Sequence, residues 1–141
     1  MFKVLVPVDG SSSSDHAAQY LIRLAKGCGT MDIYLLNVQE PIDAWEVRRF
    51  LRDQEIETMQ SERGEDALRS ARALLDEAGV RYKPHTLVGS VAETIVRFAQ
   101  EQGCDQIVMG TRGLGAVENL LLGSIATKVI HLTDVSVTLV K

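Results

Sequence analysis

The chain has 141 residues, a length typical of a single domain with one hydrophobic core. Its formal net charge is −4, which gives no basic surface of the kind that proteins use to bind nucleic acid. No apolar run approaches the roughly 20 residues of a membrane-spanning helix, and the run from Met1 to Pro7 is too short for a signal peptide. We therefore expect one cytoplasmic domain, residues 1–141, with neither a nucleic-acid nor a membrane partner.

The two cysteines and three histidines show no spacing typical of metal ligands. Cys28 and Cys104 are far apart in the sequence, and we expect two buried or half-buried free thiols in a reducing compartment. The histidines at positions 16, 85 and 131 are equally scattered. We expect neither a metal site nor a catalytic base.

The first third of the chain alternates strand and helix patterns. A β-branched run over Phe2–Val8 predicts a strand that ends in Asp9-Gly10, and Ile33–Val38 predicts the second strand. Between them, one helical face is formed by Ala17, Leu21, Leu24 and Ala25, and the helix is closed by Gly27 and Gly29. Ser12 and Asp15 have the spacing of a capping box at its start.

A long helical region is predicted after Pro41. Its second half has an apolar stripe made of Ala67, Leu68, Ala71, Leu74, Leu75 and Ala78. The first half, Ala44–Arg63, is only raggedly amphipathic and fits a separate helix or a mobile flap anchored by burial of Trp45. Gly64 is expected to break or bend the helix between the two halves.

Two more strand and helix pairs and a last strand complete the pattern. Tyr82–Val88 predicts a third strand, placed at a sheet edge because Pro84 has no N–H to donate. The next helix has an apolar face made of Val91, Ile95, Phe98 and Ala99 and is ended by Gly103. Gln106–Met109 predicts the fourth strand, a short helix follows a glycine-rich loop, and Val135–Val140 predicts the fifth strand.

Apolar strands separated by helices imply right-handed crossovers and a parallel sheet covered on both faces. We predict an α/β fold with a single doubly wound, Rossmann-like sheet of five parallel strands in the order 3-2-1-4-5. Ligands of such sheets bind beyond the carboxyl ends of the strands, where the strand order reverses. Asp9, Val38 and Gly110 are predicted to lie on that rim.

The stretch from Gly110 to Ser124 has the composition of a phosphate-binding loop. Glycines lie where the fourth strand ends and where a helix begins, so backbone N–H groups and a helix N-terminus can approach an anion. The stretch does not match the dinucleotide-binding motif G-x-G-x-x-G, because Glu118 stands where the motif has its third glycine. The stretch does not match a Walker loop either, because that motif ends in Gly-Lys-Ser/Thr and Gly123-Ser124 has no lysine.

The spacing is instead Gly110, two residues, Gly113, nine residues, then Gly123-Ser124. This spacing resembles the nucleotide-binding signature of the universal stress protein family. Three further segments resemble that family in order along the whole chain: Val4-Leu5-Val6-Pro7-Val8-Asp9-Gly10-Ser11, Leu35-Leu36-Asn37-Val38 and Val88-Gly89-Ser90.

The resemblance implies an ATP site, with Mg²⁺ carried by the phosphates. The backbone near Val38 would contact adenine, Asp9 would lie near the ribose and first phosphate, and the glycine loop would hold the phosphates. The implied binding residues are Pro7, Val8, Asp9, Val38, Met109, Gly110, Arg112, Gly113, Gly123, Ser124 and Ile125.

Simpler interpretations of some of these residues remain open. Asp9 fits either a ligand contact or a helix cap, and Arg112 fits either a phosphate contact or a solvated side chain. Taken singly, Gly110 and Gly123 fit turn positions with positive φ. Asn37 stands where the family often has histidine, and Ser136 where many members have proline.

The resemblance also implies a homodimer that pairs the last strand, Val135–Val140, with its copy. The leading hypothesis is an ATP-binding regulatory module of the stress response, with at most slow hydrolysis or autophosphorylation and no dedicated enzyme activity. The alternatives are a nucleotide-independent dimeric scaffold and an adenylating or ATP-hydrolysing enzyme on the same fold. Such enzymes usually have paired glycines after the first strand, which Asp9-Gly10-Ser11-Ser12 lacks.

Overall fold

The computed structural model describes residues 1–42, 45, 49–113 and 121–141. Within them, five parallel strands form one sheet: β1 (Phe2–Pro7), β2 (Met31–Gln39), β3 (Lys83–Val88), β4 (Gln106–Gly110) and β5 (Ser136–Val140). The helices of the same residues are α1 (Ser12–Cys28), α2 (Asp53–Glu77), α3 (Val91–Glu101) and α4 (Ser124–Leu132). The strand order is β3-β2-β1-β4-β5, which confirms the predicted topology.

The strand register brings the predicted binding segments to one edge of the sheet. β1 and β2 pair from Phe2 with Met31 to Pro7 with Leu36, while β4 pairs with β5 up to Gly110 with Val140. Because all pairings are parallel, the ends of β1, β2 and β4 lie at the same edge. The strand order reverses between β1 and β4, where doubly wound sheets bind their ligands.

Apolar residues of the central strands point alternately into two cores. On one face, α1 and α2 cover a cluster that includes Val4, Val6, Val8, Ile33, Leu35 and Val108. On the other face, α3 and α4 cover a cluster that includes Leu5, Leu36, Val38, Ile107 and Met109. Burial on both faces explains why these strands are near-continuous apolar runs in the sequence.

Helix α2 continues through the glycine that was expected to interrupt it. It runs from Asp53 to Glu77, and Gly64 is buried in its interior. A Cβ added to Gly64 would overlap the Thr86 side chain of β3, whose Oγ1 would be 2.9 Å away. The prediction of a break was wrong, because this glycine allows helix and strand to approach closely.

The interpretation of Ala44–Arg63 as a separate helix or flap is only partly testable. Residues 53–63 belong to α2, whereas positions 43, 44 and 46–48 lie outside the described residues. The expected burial of Trp45 was wrong, since its side chain is 64% exposed. The Arg49 guanidinium lies 5.0 Å from the centre of its ring, a cation–π contact at the surface.

The start of α1 differs by one residue from the predicted capping box. Ser11, not Ser12, is the N-cap, and its hydroxyl accepts from the backbone N–H of Ser14 at 3.3 Å. Asp15 instead accepts a hydrogen bond from Ser70 of α2 at 2.8 Å. The cap shifts because Gly10, with φ +85°, turns the chain just before Ser11 and lies against the Ala67 backbone of α2.

Other local expectations agree with the structure. β3 is an edge strand, as Pro84 requires, and Gly29 ends α1 with φ +84°. Both cysteines are free; Cys104 is buried as expected, but Cys28 is exposed. Across the described ranges, none of the helices is both long and apolar enough to cross a bilayer.

Candidate functional site

The carboxyl edge of the sheet gathers the predicted binding residues from both halves of the chain. The ends of β1 and β2 supply Pro7, Val8 and Val38, which are buried, and Asp9, which is half-buried. The end of β4 and the start of α4 supply buried Met109 and Gly110, half-buried Gly113 and Gly123, and exposed Arg112, Ser124 and Ile125. Residues 114–120, which include most of the nine-residue span of the signature, lie outside the described residues.

Asp9 is fixed in place by the first turn of α1. Its Oδ1 accepts hydrogen bonds from the Ser11 backbone N–H at 2.9 Å and from the Ser14 hydroxyl at 2.8 Å. The Asp9 N–H in turn donates to Ser14 Oγ at 3.0 Å. Asp9 is therefore part of the turn that leads into α1, although Ser11 is the N-cap.

The second carboxylate oxygen of Asp9 lies against the glycine loop. A Cβ added to Gly113 would overlap Asp9 Oδ2. This contact joins the end of β1 to the loop that follows β4, so two segments about a hundred residues apart meet at this edge. Of the predicted site residues, Asp9 and Gly113 are thus brought into direct proximity.

Gly110 allows the end of β4 to pack against the first turn of α1. A Cβ at this position would lie 2.6 Å from the carbonyl oxygen of Ser13 and would overlap the Ser13 hydroxyl. Such distances are far below van der Waals contact, so no larger residue fits without a backbone shift. The signature glycine is required here for close approach.

The entry of the loop is held by hydrogen bonds to three different elements. The Thr111 N–H donates to the carbonyl of Val140 in β5 at 3.2 Å, and the Gly123 N–H donates to the Thr111 carbonyl at 2.6 Å. The Arg112 N–H donates to Ser13 Oγ at 3.2 Å. These bonds bring the two ends of the glycine loop together.

The interpretation of Gly110 and Gly123 as positive-φ turn glycines was wrong. The glycines with positive φ in the described chain are Gly10, Gly29, Gly79 and Gly103. Gly123 is the N-cap of α4 with φ −71°, and a Cβ on it would lie 3.3 Å from Arg112 Cα. Lack of space explains Gly110, whereas at Gly123 a Cβ would be tight but would require only a small shift of its neighbour.

The N-terminus of α4 opens at this edge next to Gly113. The first backbone amides of a helix have no partner within the helix. Among the described residues no acceptor is found for the backbone N–H groups of Ser124, Ile125 and Ala126, and the N-cap Gly123 has no side chain that could cap the helix. Together with the helix dipole, these donors form an environment that favours an anion.

Sequence analysis did not recognise the role of Asn37. This residue is 2% exposed, and its side-chain amide donates to the carbonyl of Val8 at 2.8 Å. Gln39 Nε2 donates to Asn37 Oδ1 at 2.7 Å, so both ends of the Asn37 side chain are bonded. A polar residue inside the apolar run Ile33–Val38 was the signal available in the sequence.

A groove of about 1140 Å³ lies at the opposite, amino-terminal edge of the sheet. Several polar side chains that line it bond one another: Lys83 pairs with Asp32 at 3.2 Å, and the Tyr82 hydroxyl donates to Asp76 at 2.8 Å. The hydrogen bond to Asp32 raises the pKa of Lys83, so this amine stays protonated. None of the site residues predicted from the sequence lines this groove.

Comparison with known proteins gives a match along the whole chain. Residues 1–141 match the family model described as "Universal stress protein family". Universal stress protein MJ0531 of Methanocaldococcus jannaschii is 34% identical over 146 residues, covering 99% of this chain and 81% of the relative. A Thermus aquaticus protein named "Universal stress protein in QAH/OAS sulfhydrylase 3'region" is 36% identical over 143 residues and is covered completely.

Solved structures share the fold. The structure of MJ0577 is 27% identical, with a TM-score of 0.84, and the match covers 99% of this chain and 95% of that one. A universal stress protein from Archaeoglobus fulgidus in complex with dAMP is 22% identical, with a TM-score of 0.72 and coverage of 100% and 98%. A family protein from Arabidopsis thaliana with AMP bound is 19% identical, with a TM-score of 0.72 and coverage of 100% and 92%.

Proposed function

This chain belongs to the universal stress protein family, and we propose on that basis that it binds ATP at the carboxyl edge of its sheet. The bound nucleotide would make it a regulatory module in the cellular stress response. The observation that carries the proposal is the contact between Asp9 and Gly113 beside the N-terminus of α4. It places a carboxylate suited to ribose hydroxyls next to backbone donors suited to phosphate.

The proposed orientation of the nucleotide is the one that the family resemblance implies. Adenine would lie near the backbone of Val38 at the end of β2, and the ribose near Asp9 at the end of β1. The phosphates would then extend towards Gly113 and the amides of Ser124 and Ile125. Complexes of two fold relatives with dAMP and AMP support an adenine nucleotide.

The glycine spacing supports ATP over a monophosphate. Gly110, Gly113 and Gly123-Ser124 have the spacing of the family's ATP-binding signature, and Ser124 begins a helix whose first amides find no acceptor among the described residues. Among the described residues no group of three or more His, Cys, Asp or Glu side chains is arranged to hold a metal. Mg²⁺ would therefore be held chiefly by phosphate oxygens, as is common for this ion.

We propose that the site holds the nucleotide and hydrolyses it slowly if at all. The described groups at the loop are backbone amides, the Ser13 hydroxyl and Asp9. Oδ1 of Asp9 already accepts two hydrogen bonds from the turn before α1, which hold the carboxylate in a fixed position. Because both cysteines are free thiols, we place the protein in the reducing cytoplasm.

Titration calorimetry of the full chain with Mg-ATP tests the proposal. We expect binding by wild type and no measurable binding by Gly113→Val, because the added side chain would occupy the space beside Asp9 Oδ2. Gly27→Ala is the matched control, since a Cβ there meets nothing within 4 Å. Absence of binding by wild type at millimolar ATP would overturn the proposal and favour the nucleotide-independent scaffold. Turnover of ATP at ordinary enzyme rates would instead favour the enzyme alternative.

We further propose that two copies pair through β5. This strand is at the sheet edge opposite β3, so one side of its backbone has no partner strand within the described chain. Ser136 retains an N–H that a proline would lack, which allows one more ladder hydrogen bond. Sedimentation equilibrium should give a dimer, with amide exchange over Ser136–Val140 slowing as concentration rises; a monomer at all concentrations would contradict it.

A further inference from the structure

We propose that Ser13 is a positioning residue of the phosphate loop, an inference that rests on the proposed nucleotide site. The Ser13 hydroxyl accepts the hydrogen bond of the Arg112 backbone N–H at 3.2 Å. Arg112 immediately precedes Gly113, whose amide is one of the proposed phosphate donors. Ser13 thereby sets the direction in which the loop leaves β4.

The position of Ser13 is fixed by backbone packing. Gly110 at the end of β4 lies so close to Ser13 that a Cβ on Gly110 would be 2.6 Å from the Ser13 carbonyl oxygen and 2.7 Å from its carbonyl carbon. Ser13 is also the second residue of α1, and the neighbouring cap from Ser11 to Ser14 stiffens this turn. The hydroxyl is therefore held over the loop entry before any ligand arrives.

Of the three bonds that hold the loop entry, only one depends on a side chain. The bonds from Thr111 to Val140 and from Gly123 to Thr111 join backbone to backbone and survive most substitutions. The bond from Arg112 to Ser13 requires the hydroxyl. A single substitution of Ser13 can therefore remove this bond while the two backbone bonds remain.

The first turn of α1 consequently bonds the proposed site on two sides, through the neighbouring residues Ser13 and Ser14. Ser14 bonds the Asp9 carboxylate on the proposed ribose side. Ser13 bonds the Arg112 amide on the proposed phosphate side. Removal of the Ser13 hydroxyl should therefore weaken contacts with phosphate while leaving contacts with adenosine intact.

The test compares ATP and adenosine binding by calorimetry for the full-length wild type, Ser13→Ala and Ser13→Thr. We expect Ser13→Ala to bind ATP about 3- to 10-fold more weakly, the effect of one lost neutral hydrogen bond, with unchanged adenosine affinity. Ser13→Thr keeps a hydroxyl and should restore ATP binding. Ser12→Ala is the control, since Ser12 is exposed in the same turn.

The amide resonance of Arg112 in the nucleotide-free protein supplies a second readout. We expect it to shift in Ser13→Ala and to stay in place in Ser12→Ala, because only the former loses its acceptor. Equal loss of ATP and adenosine affinity, or wild-type ATP affinity in Ser13→Ala, would overturn the role of Ser13 while leaving the nucleotide site standing. Failure of the wild type to bind ATP would instead overturn the proposed function, and this role with it.

Discussion

The side-chain amide of Asn37 donates to the backbone carbonyl of Val8 at 2.8 Å and so joins the ends of the neighbouring strands β2 and β1. Asn37 is almost fully buried, and its own oxygen accepts from Gln39. The bond fixes the peptide that precedes Asp9, one residue before the carboxylate that contacts the loop. Asn37 thus links the adenine end of the proposed site to its ribose side.

Asn37→Leu should lower the free energy of unfolding by about 1–3 kcal/mol, because the Val8 carbonyl would be left without its side-chain donor in a buried setting. Urea denaturation measures the change. Gln60→Leu serves as control: its 3.5 Å bond to the Glu40 carbonyl is exposed, and about 0.5 kcal/mol or less is expected. Equal effects of the two substitutions would show that the Asn37 bond does not stabilise the strand ends.

Gly64→Ala should destabilise the protein, opposite to the usual effect of this change inside a helix. Alanine normally gains about 1 kcal/mol over glycine in a helix, and Gly27→Ala in α1, where a Cβ meets nothing within 4 Å, should show a gain of about that size. At Gly64 the added methyl would overlap the Thr86 side chain, and overpacking typically costs about 1–3 kcal/mol. Thermal unfolding of both variants measures the contrast.

A double-mutant cycle isolates the cause of the Gly64 effect. Thr86→Ala removes the atoms that a Cβ at Gly64 would overlap, so Gly64→Ala should cost much less in that background. If Gly64→Ala is equally destabilising with and without Thr86, the close approach of α2 to β3 is not what requires the glycine.

Gly64 also shows where sequence patterns stop being informative. The strands, their order and the helix faces were predictable because burial on both sides of a parallel sheet produces continuous apolar runs and regular crossovers. The distance between α2 and β3 has no such local signature, so a glycine that serves packing was interpreted as a helix break. The same limit applies to Gly110, which is required because the backbone of Ser13, distant in the sequence, lies against it.

The predicted site depended on a different kind of signal. The glycine spacing and the aspartate after β1 predicted a site at the carboxyl edge of the sheet, and Asp9 Oδ2 lies beside Gly113 at that edge. The polar Asn37 inside an apolar run was a signal in the sequence, but its partner was not predictable, and the bond of Ser13 had no signal at all. Each of these hydrogen bonds joins a side chain to the backbone of another segment. Such bonds depend on the tertiary arrangement and leave no periodic pattern.

Only one of the two thiols should react rapidly in the native protein. Cys28 is exposed at the end of α1, whereas Cys104 is 7% exposed, and burial raises the pKa of its thiol. Since the thiolate is the reactive form, Cys104 is both less accessible and less ionised at neutral pH. Titration with a disulfide reagent should show one fast-reacting thiol, which is lost in Cys28→Ser and retained in Cys104→Ser. A fast-reacting thiol in Cys28→Ser would contradict the burial of Cys104.

The ion pair between Glu93 and Lys128 should make the α3–α4 contact weaken in acid. The partner amine, with a smaller effect from the backbone N–H of Glu93 itself, lowers the pKa of this carboxyl below its usual value. The pair therefore stabilises the fold fully above the unfolded pKa of about 4.3, and the contribution is lost as pH falls through the lower folded value.

Carboxyl NMR titration of Glu93 measures this directly. Lys128→Met should raise the Glu93 pKa most of the way to its usual value, while part of the shift remains because the backbone hydrogen bond persists. Both side chains are about half exposed, so high salt should act in the same direction by screening the pair. Lys26→Met, in the last turn of α1 on the other face of the sheet, is the control. If the Glu93 pKa does not change in Lys128→Met, the two charges do not interact in solution.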